Sequence, residues 1–335
     1  MTGSLKGELK SLNQNIFYLR LHKSPRSNAL PNYLDIELID IPLEVNIYKS
    51  ISIKVFCKLF NFFRLFEKRS KLIVEYDGNF IPIFCLVFSN LFFFKKYKIF
   101  LDCHVNSYID INFYSHKTFI KLVVIYIFKY IFRVETLVHN KNSLSIIKNS
   151  IYCPSPFPKI HFSNSENKTK ILDNDLLIIS SMNKDEPIDE FIQTAKELDS
   201  LGYKVKITGD KNKLKLNIDE ISKFFTGFLD RNEYLDLLQR SKIILAMTSR
   251  QYNLLFAPRE ALLNQKICIV NDSIENKEFY RELCFYSSPN HHSIIKQTKS
   301  LIKNDEPIFN KTALLDLIKT IDMDIDNFKK CLHIR

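Results

Sequence analysis

Short apolar runs alternate along the chain with longer stretches in which apolar residues recur every three or four positions, the rhythm of β-α-β units around a mainly parallel sheet. In the first half the strand-like runs are Ile16 to Leu19, Leu72 to Glu75, Ile99 to Cys103 and Glu135 to His139. In the second half they are Leu176 to Ser180, Lys204 to Thr208, Lys223 to Thr226, Lys242 to Met247 and Ile267 to Val270. Helical patterns fill the intervals. The rhythm breaks at Cys153-Pro154-Ser155-Pro156-Phe157-Pro158, with the polar run Ser163 to Lys170 behind it. Prolines at alternate positions neither continue a helix nor pair inside a sheet, so a linker is expected here. The fold class is α/β, with two Rossmann-like domains at residues 1–160 and 161–335 and a last helix free to pack back on the first. Open α/β sheets bind ligands beyond the carboxyl ends of their strands, which places the expected site in a cleft that the two domains face.

Two segments stand outside this rhythm. From Ile51 to Lys71 the positions Val55, Leu59, Phe62 and Phe66 form one stripe, with Phe56, Phe60 and Phe63 alongside and Lys54, Lys58, Arg64, Lys68 and Arg69 around them. A basic amphipathic helix of this kind either lies in a membrane interface, with Phe62 inserted and the cations near anionic lipid, or packs its aromatic stripe on the first sheet. Tyr108 to Arg133 is apolar on nearly all sides beyond its first turns, which suits a buried helix or one that touches lipid. The longest apolar stretch, Ile81 to Phe94, is interrupted by Ser89 and Asn90 and falls short of the roughly 20 residues that span a bilayer, so no transmembrane helix is expected. The opening segment lacks the apolar core and cleavage site of a secretory signal, which points to a cytoplasmic protein.

Composition narrows the chemistry. With 46% hydrophobic and 25% charged residues, disordered and fibrous classes are excluded. Only six glycines occur, and neither a G-x-G-x-x-G nor a G-x-x-x-x-G-K-[ST] phosphate loop is present. The seven cysteines include no C-x-x-C pair, the pattern of a reducing compartment without a zinc ribbon. Net charge is +11, and it sits in the first half: residues 1–160 carry 22 Lys and Arg against 11 Asp and Glu, whereas the rest is balanced at 26 and 26. Such asymmetry points to an anionic partner of one domain, either nucleic acid or acidic lipid. No recognition helix, RNP-like strand or zinc module supports nucleic acid, so an anionic membrane surface is the expected partner.

Five segments carry the most information: Ser180-Ser181-Met182-Asn183-Lys184-Asp185-Glu186-Pro187, Ile207-Thr208-Gly209-Asp210, Phe224 to Leu238, Leu245-Ala246-Met247-Thr248-Ser249-Arg250, and Pro258-Arg259-Glu260-Ala261-Leu262. In series they resemble the donor-binding domain of GT-B glycosyltransferases, with the bacterial family-4-type enzymes of surface polysaccharide assembly as nearest relatives. Phe100-Leu101-Asp102-Cys103-His104 resembles the D-x-H strand end of the same enzymes, and Pro154 to Pro158 sits where they enter the second domain. The resemblance covers most of residues 70–290. It implies transfer of a sugar from a nucleotide-sugar donor to a lipid-linked or glycan acceptor, with the donor a substrate and no cofactor or metal.

Pro258 suits a first helical turn, and free amides at Glu260, Ala261 and Leu262 would then form a diphosphate site. The resemblance implies that Glu260 accepts both ribose hydroxyls; its plainer role is to complement the helix dipole. Lys184, Lys211, Arg250 and Arg259 are candidate clamps for the charge that develops on a nucleoside diphosphate leaving group, with Ser181 and Gly209 beside them. Position 252, where the resembling enzymes carry another Glu, is Tyr252. A non-catalytic binding protein on the same scaffold is the competing reading. In the first half His104 is placed to hydrogen-bond the transferred sugar. Asp102 serves as general base if transfer inverts, or turns inward as a structural group, and Asp77 is a second candidate. Two apparent metal sequences fail: Asp322 to Asp326 lacks the Gly and Glu of a calcium loop and reads as a helix boundary, and Asp173-Asn174-Asp175 lies in a turn before a strand.

Overall fold

Strands buried on both faces need continuous apolar runs, and Leu72-Ile73-Val74 and Ile99-Phe100-Leu101 supply them at the centre of the first sheet. The computed structural model of this chain describes residues 16–20, 36–40, 59, 61–63, 66, 70–76, 80–92, 97–104, 108, 115–158, 172–210, 221–250, 252–303 and 309–332. It divides into two units, residues 1–156 with 321–335 and residues 157–320, so the break falls between Pro156 and Phe157.

The first unit holds strands β1 (Ile16–Arg20), β2 (Glu37–Asp40), β3 (Lys71–Tyr76), β4 (Lys98–Cys103), β5 (Glu135–Val138) and β6 (Ile151–Tyr152) in the order β2-β1-β3-β4-β5-β6, every neighbouring pair parallel. Helix α1 (Ile81–Phe92) joins β3 to β4, α2 (His116–Tyr130) joins β4 to β5, and the short α3 (Ser143–Ile146) precedes β6. Ser115 starts α2 by accepting from the Thr118 amide at 3.2 Å. Steps from β3 to β4 and from β4 to β5 run in one direction across the sheet, and the right-handed crossover rule then lays α1 and α2 on the same face.

Phe62 is corrected from a membrane-inserted residue to a core one. It is buried, with its ring edge-on to Phe63 and Phe66, and Phe66 meets Phe17 of β1 at 5.4 Å. The Tyr97 hydroxyl donates to the carbonyls of Phe63 and Phe66 at 2.9 and 3.1 Å. The described members of the stripe, Leu59, Phe62, Phe63 and Phe66, are therefore core. Lys54, Lys58, Arg64 and Lys68 lie outside the described residues, as do Lys211 and Asp77.

The second unit holds β7 (Asn174–Ile178), α4 (Ile188–Ser200), β8 (Val205–Ile207), α5 (Arg231–Gln239), β9 (Ser241–Ala246), α6 (Ala257–Leu263), β10 (Ile267–Asn271), α7 (Ile274–Tyr280), β11 (Phe285–Ser287) and α8 (His291–Lys303). Its all-parallel sheet runs β11-β10-β9-β7-β8. Phe191, Ile192, Ala195 and Leu198 of α4 join Ile294, Ile295 and Leu301 of α8 in one apolar cluster with the strands. Helix α9 (Lys311–Leu332) starts in this unit, and from Ile321 onward belongs to the first. There the Leu332 carbonyl accepts from Lys71 Nζ at 2.6 Å, and Asp324 pairs with Lys141 at 3.3 Å.

Residues 223–226 depart from their expected strand. Ser222–Phe224 is a 3₁₀ turn, followed only by isolated bridges from Phe225 to Ile207 and from Gly227 to Gly209. Gly227 at φ +76° supplies the positive angle that ends regular pairing. Asp322 to Asp326 lies inside α9, not at a helix boundary, because the apolar spacing of Ile321, Ile325 and Phe328 continues through it.

Candidate functional site

Strand order in the second sheet reverses between β7, which leads rightward to β8, and β9, which leads the other way; open α/β sheets bind ligands at such a switch point, beyond the carboxyl ends. Side chains and backbone at this edge are tied loop to loop. The Glu186 carboxylate gathers the loop after β7: it accepts from the amides of Ser181 and Met182, each at 3.0 Å, from the Ser181 hydroxyl at 2.7 Å, and from the Ser180 hydroxyl. Met182 is held in the left-handed region at φ +57°. The Thr208 hydroxyl donates to the Ser180 carbonyl at 3.0 Å and accepts from the Ser180 amide at 2.9 Å, joining the β8 end to the β7 end. Gly209, at φ +106°, comes so near that a Cβ there would lie 2.8 Å from the Ser180 carbonyl oxygen.

Asp185 makes the link across the switch point. Its carbonyl accepts from the Ser249 amide at 2.7 Å, and its carboxylate accepts from the Thr248 hydroxyl at 3.0 Å and pairs with Arg250 Nε at 3.1 Å. The structure thus brings Ser181, Lys184, Gly209 and Arg250 to one edge, with Ser181 and Lys184 exposed and Arg250 half-buried. Tyr252 follows at φ +64°, a strained angle for a residue with a side chain.

Glu260 is placed differently from the expectation. Helix α6 opens at Ala257, not at Glu260, and the amides of Arg259 and Glu260 both donate to the Phe256 carbonyl, at 3.0 and 3.3 Å. Ala261 and Leu262 lie deeper in the helix, where amides serve the ladder, so the diphosphate cradle drawn on these three amides is not present. The helix starts three residues earlier than expected, with Pro258 in its first turn, which carries these positions past the open end. The Glu260 side chain is 5% exposed and accepts from the Tyr234 hydroxyl at 2.8 Å and from Arg231 Nη1 at 2.5 Å. Burial, then the charge and hydrogen bond of Glu260, push the Tyr234 phenol far above its usual range. A carboxylate offers about four acceptor positions, so two remain after these bonds. Arg259 is corrected from clamp to core: its guanidinium is buried, 4.9 Å from the Phe279 ring and 6.0 Å from that of Phe157. The sequence reading missed Arg231, an exposed cation that α5 presents at its first turn behind the Asp230–Glu233 capping box; Asp-x-x-Glu was the available signal.

In the first unit, Asp102 closes β4 with no solvent exposure. One oxygen accepts from the Tyr18 hydroxyl of β1 and the other from His139 Nε2, just past β5. His139 Nδ1 faces the Cys153 carbonyl at 2.8 Å. A carbonyl and an ionised carboxylate only accept, so both ring nitrogens carry hydrogen and His139 is an imidazolium. Burial works against the Asp102 charge, but the neighbouring His139 and His104, with hydrogen bonds from His139 and Tyr18, hold its carboxyl well below the usual range. Asp102 is therefore turned inward and strongly held as an anion, the opposite of what a general base needs. His104 stacks on His139 with centroids 4.8 Å apart and rings 16° from parallel, and its Nε2 lies 3.8 Å from Asp102. With 39% of its side chain exposed against 13% for His139, it is the more solvent-facing of the two rings. Donor atoms of Asp102, His104 and His139 come within 4.8 Å of one another, as in a metal site; with His139 bonded directly to Asp102, the arrangement is a hydrogen-bonded ion pair. His139 was read as the last residue of a strand, and nothing local ties it to Asp102, 37 residues earlier.

No family model matches the sequence, and neither does any curated protein. Solved structures do match. HepE of Anabaena, in complex with UDP and glucose, superimposes with a TM-score of 0.67 at 10% identity, over 95% of this chain and 99% of its own. Sucrose-phosphate synthase of Thermosynechococcus elongatus gives 0.65 at 9%, over 96% and 99%. A glycosyltransferase of Rickettsia africae gives 0.57 at 10%, over 94% of each. At these identities the likeness establishes architecture, and this chain, with its two parallel-sheet α/β domains, has the GT-B glycosyltransferase fold.

Proposed function

We propose that the protein is a glycosyltransferase of the hexosyltransferase type, taking a sugar from a uridine nucleotide donor to a lipid-linked or glycan acceptor of surface polysaccharide synthesis, at the cytoplasmic face of the membrane. The observation that carries this reading is the cross-tied carboxyl edge at the β7–β9 switch point, where Asp185, Thr248 and Arg250 fix two loops around the position at which such sheets bind ligands. UDP as the nucleotide is taken from HepE, whose complex contains it.

Each residue has a part that its chemistry allows. Arg231 and Arg250 supply fixed positive charge toward the departing diphosphate, a charge that grows as the glycosidic bond breaks. Glu260 uses its remaining acceptor positions on the ribose hydroxyls. His104 hydrogen-bonds a hydroxyl of the sugar, and the Asp102–His139 pair beneath it is a positioning element. The donor is a substrate, and no step requires a cofactor or metal, so turnover is expected to be unchanged by EDTA.

A thermal-shift screen against UDP, GDP, CMP and their sugars, followed by turnover assays on the stabilising donors, tests the reading. A rise in melting temperature with UDP and slow release of UDP from a UDP-sugar support it; absence of any nucleotide shift defeats it. Tyr252, standing where the resembling enzymes have Glu, favours a second reading, a non-catalytic nucleotide or glycan binder. Nucleotide binding with no turnover or hydrolysis of any donor would select that one.

A further inference from the structure

We infer that α1 and α2 together form the lipid-docking surface of the protein, seating the first unit on an anionic bilayer. This rests on the lipid-linked acceptor of the preceding reading but on different residues from any that bind the donor.

The exposed apolar side chains are not scattered. Of the seventeen large exposed hydrophobic residues among those described, eleven fall on α1, on α2 or within one residue of their ends. On α1, Phe84, Phe88 and Phe92 recur every fourth residue and form an outward ladder, with ring centroids 5.6 and 6.4 Å apart. The opposite side of the same helix, including Ile83, Leu86 and Val87, is buried. On α2, Phe119, Val123, Ile127 and Ile131 repeat the fourfold spacing, all exposed, while Ile125 and Phe128 face the interior. Both helices lie on one face of the sheet by the handedness of their crossovers. Two apolar stripes on helices of one face exceed the isolated exposed residues that any soluble surface carries, and exposed apolar surface so concentrated marks a contact site.

Charge selects the occupant. Between Phe80 and Val134 there are seven Lys and Arg and two acidic residues, of which Asp102 is buried and tied to His139. Lys117 and Arg133 are exposed at the two ends of α2, while Lys98, exposed at the start of β4, is paired with Glu135 at 3.0 Å. Aromatic and aliphatic stripes bordered by cations and almost free of carboxylates complement acyl chains beneath anionic headgroups. Neither helix is long and apolar enough to cross a membrane, so the contact lies in the interface. Leu59, Phe62, Phe63 and Phe66 of the 51–71 stripe are buried, and the docking function is assigned to these two helices.

The test is flotation of the full chain with phosphatidylcholine vesicles, with and without phosphatidylglycerol. The triple variant Phe92→Ser, Phe119→Ser, Ile131→Ser removes three side chains that are each about two-thirds exposed, and Lys117→Glu reverses one rim charge. Wild type is expected to float with the anionic vesicles and to stay behind with neutral ones. The triple variant is expected to lose about tenfold or more in partitioning, and Lys117→Glu to lose less and in a salt-dependent way. All should melt at the wild-type temperature without vesicles and retain the UDP shift. Wild type that fails to float, or variants that float equally well, overturn the inference. So does a wild-type dimer that the triple substitution converts to monomer without any lipid binding, because a second copy then covers the face. Flotation without a nucleotide shift leaves the docking surface standing and removes the glycosyltransferase reading alone.

Discussion

Replacing Asp102 by Asn keeps the side-chain shape and removes the charge. In the wild type the buried carboxylate receives the Tyr18 hydroxyl on one oxygen and His139 on the other. Asn offers one acceptor and one NH2 group, so one donor of the pair meets another donor and the imidazolium loses its counter-charge. Removing one partner of a buried ion pair costs about 3–5 kcal/mol. In a unit of about 170 residues, at about 2–4 °C per kcal/mol, the first unit should melt roughly 6–20 °C lower. Acid adds a second signature. The folded carboxyl titrates below its unfolded value near 3.9, so its contribution is complete above that value and disappears as pH falls through the folded one. Wild type therefore weakens across that acid window, and Asp102→Asn shows a flatter acid limb. Urea unfolding followed by near-ultraviolet circular dichroism, from neutral pH to about pH 3, reads both quantities. A destabilisation under about 1 kcal/mol with an unchanged acid limb would mean that the carboxylate is not the charged centre of this cluster.

Glu260→Gln should abolish most of the UDP shift, which for wild type at 100 times the dissociation constant is about 2.7 kcal/mol, roughly 5–11 °C for a domain of this size; an undiminished shift removes Glu260 from the donor site. Arg250→Met should raise the donor KM about tenfold or more and, because its pair with Asp185 is mostly buried, should also destabilise by about 1–3 kcal/mol; steady-state kinetics beside urea unfolding separates the two effects. Gly209→Ala should destabilise by about 1–3 kcal/mol from backbone strain alone, with the 2.8 Å approach to the Ser180 carbonyl in addition. Gly202→Ala, at φ +87° but with open space around the new methyl, is its control and should cost about 1–2 kcal/mol.

Strands were legible where burial on both faces demanded unbroken apolar runs, as in Leu72 to Glu75, Ile99 to Cys103 and Lys242 to Met247. β2, β6 and β11 are two to four residues long and mix polar with apolar positions, so their pairing comes from neighbours in space and not from local pattern. In the site, the loops after β7, β8 and β9 were legible because strand ends bring their residues together whatever the details. What was not legible is partnership at long range. Glu260 is occupied by Arg231 and Tyr234, 29 and 26 residues earlier, and Asp102 by Tyr18 and His139, 84 and 37 residues away. Such bonds turn Asp102 from chemistry to architecture and take up part of the acceptor capacity of Glu260, and only three-dimensional proximity shows them. A helix start at Ala257, three residues before Glu260, likewise closed three amides that had been read as open.

The division of α9 between the two units sets the order in which this protein is completed as it is made. Residues 157–320 are contiguous and close as soon as they leave the ribosome. The first unit cannot: Ile321, Ile325, Phe328 and Leu332, all buried, and the anchors of Lys71 and Lys141 are emitted only after the entire second unit. The half synthesised earlier is thus the later to be finished, and its nascent form carries an uncovered apolar seam, a landing place for chaperones throughout translation of the other half.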